Sequence, residues 1–165
     1  MNFSEKVEEI NGKVKSYKLE IEGVEKTREN LHAVSHKYMS TYGQDFFPKK
    51  LIEKINALGT DTVLVSGIRP PSDVETFKAA FGDQFFLVAI VVESDRVRYE
   101  RTRARGSARD NVTFEQFLEL DKHEEEMFHT SVTMGMADYT FNRGEYSDEE
   151  YHEKIRTFYK EYFLK

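Results

Sequence analysis

Apolar residues along the chain follow two patterns, short continuous runs and helical spacing, which together predict strands alternating with helices. Apolar runs within 62–67 and 85–92 predict two strands, and 137–142 predicts a third, shorter one. The run at 85–92, FFLVAIVV, is typical of a strand that a parallel sheet buries on both faces. Apolar residues at helical spacing predict further helices over 27–42, 47–58, 72–81, 95–105, from Thr113 toward Phe128, and from Ser147 to Tyr162.

Three of these helices begin with a serine or threonine that a glutamate or glutamine follows three residues later. This spacing predicts capping boxes at Ser72–Glu75, Thr113–Gln116 and Ser147–Glu150. Strands that alternate with helices predict a three-layer α/β/α fold with a mostly parallel sheet and right-handed crossovers. The 165 residues fit one domain, 1–165, without an internal repeat or a linker.

Composition narrows the functional classes. The chain is 33% charged, carries a formal net charge of −6 and has no cysteine, which excludes disulfides and thiolate chemistry in this sequence. No apolar run reaches about 18 residues and the opening MNFSEKVEEI is highly charged, so we expect no membrane insertion, no secretion and a cytoplasmic location. The acidic balance disfavours nucleic acid as the main partner.

The predicted strand at 62–67 runs into Ser66-Gly67-Ile68-Arg69. Ligands of open α/β sheets bind at the carboxyl ends of the strands. Gly67 would let a ligand approach the backbone closely, and Arg69 could bind a phosphate in a bidentate manner. The alternative is an ordinary turn between a strand and a helix, with a solvent-exposed arginine.

A second candidate site is the arginine-rich segment RVRYERTRARGSARD, which has six arginines from Arg96 to Arg109. On a helix, Arg98, Arg101 and Arg105 form one basic stripe, and Arg109 follows in the loop. Such a stripe suits a polyphosphate or a nucleic acid. The alternative is a solvated face whose charges pair with the acidic segment 115–126.

The histidines do not predict a metal site. His32 and His36 are four residues apart but have no third ligand nearby, and His123 and His129 fall on different sides of a helix. The sequence contains no G-x-S-x-G motif and no serine triad that can be argued for, so we assign no catalytic residue.

Several segments, in the same order, resemble the archaeal P-loop kinase-like family related to dephospho-CoA kinase and the nucleoside monophosphate kinases. The resemblance spans about residues 27–155 and rests on TRENLHAVSHKYMSTYGQD, LIEKI, VLVSGIRPPSDVETFKAAFGDQFFLVAI, RYERTRARG, TFEQFLELDKHEEE and ADYTFNRGEYSDEEYHEKI. It implies that 62–68 is the Walker B strand with its turn and that Arg69 holds the acceptor phosphate. It also implies that 98–111 is a lid over the donor phosphates of ATP or another nucleotide.

Two departures from that family change the expected function. No segment matches a strand followed by Gly-x-x-x-x-Gly-Lys-Ser/Thr, and Ser66 stands where the family has an acid. The missing groups would have cradled the phosphates and organised Mg²⁺. We therefore expect a degenerate kinase-like protein that binds a nucleotide or phosphate, or serves in assembly, without Mg²⁺ and without phosphoryl transfer by the usual route.

Two other functions stay open. One is an active nucleotide or dephospho-CoA kinase whose P-loop is supplied elsewhere, and the other is an RNA- or nucleotide-binding module.

The resemblance also implies a gap in the sheet, because the P-loop strand of the family lies between the strands that correspond to 62–67 and 86–92. Residues 14–22 alternate apolar and charged side chains, which is typical of an edge strand and not of a central one. The gap would be closed by direct pairing or by a strand from a partner, unless the chain is a fragment of a longer protein. We expect a homo-oligomer or a heteromeric partner that covers the sheet edge.

Overall fold

A computed structural model of the chain describes residues 28–59, 62–92, 94–106, 111–144 and 146–164. Residues 14–22, with their predicted edge strand, lie outside these ranges. A short 3₁₀ turn, Gly82–Gln84, precedes the first strand. In chain order the helices and strands are α1 (Arg28–Tyr42), α2 (Phe46–Leu58), α3 (Pro71–Phe81), β1 (Val88–Val91), α4 (Asp95–Ala104), α5 (Phe114–Phe128), α6 (Thr130–Gly135), β2 (Tyr139–Asn142) and α7 (Asp148–Phe163).

The two strands form a parallel pair, in which Val88 lies opposite Tyr139 and Val91 opposite Asn142. The helices α4, α5 and α6 make the crossover that parallel strands require. Just before the first pair, the Leu87 backbone N–H donates to the Asp138 carboxylate at 2.7 Å, and the Leu87 carbonyl accepts from the Tyr139 N–H at 3.2 Å. The fold is therefore mixed α/β with parallel strands, as the sequence predicted at that coarse level.

Aromatic side chains join α7 to the sheet. Phe158 of α7 is buried, and its ring centroid lies 4.5 Å from that of Tyr139 and 5.0 Å from that of Phe141. On α3, Val74 is fully buried and Phe77 stacks on Phe85 with 5.6 Å between ring centroids. Burial of large aromatic side chains is the main stabilising contribution of this core.

The predicted strand at 62–67 is wrong. Residues 62–69 form neither helix nor strand, and Leu64 is 48% exposed. A strand needs a hydrogen-bonded neighbour, and in the described ranges β1 and β2 pair only with each other. The sheet thus has two strands there, and the three-layer arrangement remains a prediction.

The prediction that 85–92 forms a strand buried on both faces was also wrong. Only Val88–Val91 of this run forms β1, and the two faces of the strand differ. Ala89 is buried, whereas Ile90, which points to the opposite face, is 55% exposed. The apolar run therefore forms a strand with one covered face.

Two of the three predicted capping boxes are confirmed. Thr113–Gln116 and Ser147–Glu150 each make both reciprocal hydrogen bonds of the motif, at the starts of α5 and α7. The box at Ser72 is wrong, because α3 already begins at Pro71. Proline is favoured at the first helical position, where its missing N–H costs nothing, so Ser72 falls inside the first turn.

Candidate functional site: an arginine-lined cleft

An open cleft of about 600 Å³ lies at the carboxyl ends of the two parallel strands. Val92 directly follows β1, Arg143 directly follows β2, and both line the cleft. This edge of a parallel sheet is where α/β proteins bind ligands. We call it the arginine cleft, and its charged lining residues are Arg98, Arg101, Arg105, Arg143, Asp121 and Asp148.

Three of these arginines come from the predicted basic stripe. Arg98 and Arg101 lie on α4, and Arg105 is the residue that follows its last turn. Their spacing brings all three to the cleft, as expected for neighbours on one helix face. Arg109 and the rest of 107–110 lie outside the described ranges, so the lid-like segment 98–111 is described only in part.

Arg98 is neutralised by carboxylates. Its guanidinium lies 2.7 Å from Asp95 and 2.6 Å from Asp121, and it stacks over the Phe117 ring at 5.4 Å. Burial acts to lower the pKa of Arg98, but its hydrogen bond with Asp95 and the charge of Asp121 outweigh burial and raise the pKa. The structure therefore shows Arg98 paired with the acidic segment 115–126, through Asp121.

Arg101 differs from Arg98 in its partners. Its Nη2 donates to the Gly144 carbonyl at 3.1 Å, which ties α4 to the segment after β2. Its Nη1 is buried without a hydrogen-bond partner, and no carboxylate of the described residues lies within ion-pair distance. A buried donor without an acceptor is costly, so this nitrogen marks a position where a ligand oxygen would be stabilised.

Arg143 is the cleft residue that sequence reasoning missed. Its guanidinium donates to the Tyr146 carbonyl and to Asp148, and it lies 4.4 Å from the centre of the Tyr151 ring. The available signal was its position, since it comes immediately after a predicted strand at the ligand-binding edge of the sheet. An arginine at that point is as well placed to bind a phosphate as the sequence suggested for Arg69.

Tyr151 lies behind Arg143 and is neutral near pH 7. Burial raises the pKa of Tyr151, against the opposing charges of Arg143 and Arg101. Its hydroxyl is buried and has no hydrogen-bond partner in the described part of the chain. An uncharged phenol ring thus packs against the guanidinium of Arg143, which lines the cleft.

The turn at Ser66-Gly67-Ile68-Arg69 lies elsewhere. Arg69 pairs with Glu124 of α5, and its guanidinium lies 5.8 Å from the centre of the Phe128 ring. Gly67 has a φ of 84°, a conformation that suits glycine, and both it and Ser66 are exposed. None of these three residues lines the arginine cleft, so the structure does not unite the two predicted phosphate-binding segments.

The described residues contain neither a cluster of metal ligands nor a helix that could span a membrane. Within the described ranges, no three histidine, aspartate or glutamate side chains are grouped so that they could hold a metal ion. His32 approaches His123 with 6.4 Å between ring centroids. Among the helices described, none has the length and apolar character needed to cross a membrane.

Comparison with known proteins identifies the family. A UPF0200 protein of Thermococcus kodakarensis is 36% identical over 137 residues, which cover 81% of this chain and 72% of that protein. The chain belongs to the UPF0200 family. A UPF0200 protein of Thermococcus gammatolerans is 34% identical over 138 residues, which cover 82% of this chain and 71% of that relative.

The relatives are longer than the region they share with this chain. A UPF0200/UPF0201 protein of Archaeoglobus fulgidus is 40% identical over 137 residues, which span 81% of the chain but only 41% of that protein. No family model matches the chain. The names of these UPF0200 relatives specify neither a ligand nor a reaction.

Proposed function

We propose that the chain binds a nucleotide or a related polyphosphate in the arginine cleft and does not transfer a phosphoryl group by the P-loop route. The observation that carries this proposal is Arg101, whose buried Nη1 has no acceptor among the described residues, while the cleft in front of it is lined by guanidinium groups. A phosphate oxygen would satisfy that donor and reduce the positive charge of the lining.

The size and charge of the cleft support the same ligand class. Its volume of about 600 Å³ falls in the range of roughly 300–1,000 Å³ that is typical of small-molecule sites. Four arginines and two aspartates give the lining an excess of two positive charges, in a chain with a net charge of −6. A concave surface of one sign attracts ligands of the other sign.

Catalysis is not part of this proposal, because the sequence lacks the groups that perform phosphoryl transfer. It contains no Gly-x-x-x-x-Gly-Lys-Ser/Thr segment, and Ser66 replaces the acid that would help hold Mg²⁺. Kinases rely on positioning and electrostatic stabilisation by these groups. The greater length of the relatives favours a second candidate, an active kinase whose P-loop is supplied elsewhere.

Association through the sheet belongs to the same proposal. The parallel pairing of β1 with β2 suits a larger kinase-like sheet, and Ile90 of β1 is 55% exposed. A further strand supplied by a second copy or another partner would pair the strand edge, and packing of that partner on the face of β1 that carries Ile90 would cover this apolar side chain. Sedimentation tests this part of the proposal separately from ligand binding.

The binding experiment compares two arginines of α4. Arg101→Gln removes the guanidinium with the buried Nη1, and we expect it to weaken binding of ATP and of inorganic pyrophosphate by roughly ten- to hundredfold. Arg103→Gln is the matched control, because Arg103 is exposed on the same helix and does not line the cleft. Isothermal titration without Mg²⁺ measures both, after thermal melting shows that each variant folds.

Four results would contradict the proposal. Wild-type protein that binds neither ATP nor pyrophosphate would exclude the site, and equal losses in both variants would exclude a specific role for Arg101. ATP-dependent phosphorylation of nucleoside monophosphates or dephospho-CoA at about 1–1,000 turnovers per second would favour the kinase. Tighter binding of an RNA oligonucleotide than of ATP would favour the nucleic-acid module.

A further inference from the structure

The ion pair between Arg143 and Asp148 is unequally exposed. Arg143 Nη2 lies 2.5 Å from Asp148 Oδ1, and the two side chains are 10% and 89% exposed. Both residues line the arginine cleft. A carboxylate with this exposure is hydrated in either arrangement, so it loses little by leaving the guanidinium.

Arg143 does not depend on Asp148 for its position. The same guanidinium donates from Nη1 to the Tyr146 carbonyl and packs against the Tyr151 ring at 4.4 Å. Neither contact involves Asp148, so neither requires that carboxylate to stay in place. The arginine is therefore held in place with one nitrogen, Nη2, whose partner can be exchanged.

Arg101 lies beside this exchangeable position. Its Nη2 donates to the carbonyl of Gly144, the residue that follows Arg143, and its Nη1 has no acceptor in the part of the chain that the structure describes. An anion that replaced the Asp148 carboxylate at Arg143 would enter the cleft that Arg101 also lines. Two guanidinium groups would then share one ligand.

We propose that Asp148 is the internal counter-ion of the arginine cleft and that a terminal phosphate group of the ligand displaces its carboxylate from Arg143. This inference rests on the proposed function and adds two roles to it: Arg143 contacts the ligand, and Asp148 competes with the ligand for Arg143. A terminal phosphate carries about −1.5 to −2 at pH 7, more than the carboxylate it replaces. A phosphodiester carries a single negative charge and gains nothing in the exchange, so the site selects phosphomonoesters and pyrophosphates over diesters.

Removal of the competing carboxylate tests the exchange. We expect Asp148→Asn to bind inorganic pyrophosphate about three- to fivefold more tightly than the wild type, because the ligand no longer displaces an ion-paired group. The matched control is Glu149→Gln, which removes the same charge from the same helical turn but does not line the cleft. We expect it to bind pyrophosphate within about twofold of the wild type. Asp148→Ser also removes the carboxylate and serves as a second variant in the same measurement of pyrophosphate affinity.

Selectivity supplies an independent measurement. We expect wild-type protein to bind pyrophosphate more tightly than the diester cyclic AMP, and Asp148→Asn to bind cyclic AMP with a larger relative gain than Glu149→Gln does. Equal affinities of Asp148→Asn, Asp148→Ser and Glu149→Gln for pyrophosphate would overturn the exchange, while a loss in Arg101→Gln would still support the proposed function. No pyrophosphate binding in the wild type or in any variant would overturn both.

Discussion

Two threonines of α6 differ in what their hydroxyl groups contact. Thr133 is 4% exposed and donates from Oγ1 to the Arg69 carbonyl at 2.5 Å, whereas the buried Oγ1 of Thr130 has no hydrogen-bond partner in the described part of the chain. We expect Thr133→Val to lower the free energy of unfolding by about 1–3 kcal/mol, because the Arg69 carbonyl loses its donor. Thr130→Val, its control, should be neutral or stabilising in urea denaturation.

Equal effects of the two substitutions would show that the methyl group, and not the hydrogen bond, decides stability at these positions. The Thr133 contact also involves a residue that the sequence analysis had proposed as a ligand-binding one. Arg69 was singled out as a phosphate-binding residue, but its carbonyl is bound by α6 and its guanidinium by Glu124 of α5. Local sequence identifies an arginine after a turn, whereas these partners come from distant parts of the chain.

The first turn of α7 makes the stability of this helix depend on pH. The Ser147 hydroxyl donates to the Glu150 carboxylate at 2.8 Å, and this bond together with the Ser147 backbone N–H lowers the pKa of Glu150. Because the pKa is lower in the folded state, the stabilisation is present above the ordinary pKa of glutamate and is lost as pH falls through the lowered value. We expect Ser147→Ala to raise the pKa of Glu150 in an NMR titration of the carboxyl carbon.

Glu125 provides the control for that titration, since hydrogen bonds with Ser131 lower its pKa in the same manner. Its pKa should be the same in Ser147→Ala and the wild type, and an unchanged pKa at Glu150 would contradict the role of the cap.

Both confirmed capping boxes were predictable because they depend on residues three apart. The Ser72 box failed because the prolines just before it start α3 earlier.

For the whole molecule, the two-stranded sheet predicts association. β1 pairs with β2 and with no other strand of the described ranges, and the apolar side chain of Ile90 is 55% exposed. We expect sedimentation at micromolar concentration to show a dimer or larger species, and Ile90→Lys to shift it toward the monomer. Leu118→Lys on α5 is the control, because Leu118 is 37% exposed and lies on a helix. A stable wild-type monomer that does not aggregate would contradict this prediction.

The sequence by itself determined features that depend on near neighbours: the helices other than α6, two of the capping boxes, the strands within 85–92 and 137–142, and the basic stripe on α4. The short helix α6 (Thr130–Gly135) was not predicted. Tertiary structure decided the features that need a distant partner. The segment 62–67 is not a strand, because a strand requires a hydrogen-bonded neighbour that the local sequence does not specify. Arg143 reaches the arginine cleft because parallel pairing brings the end of β2 beside the end of β1, from positions far apart in the chain.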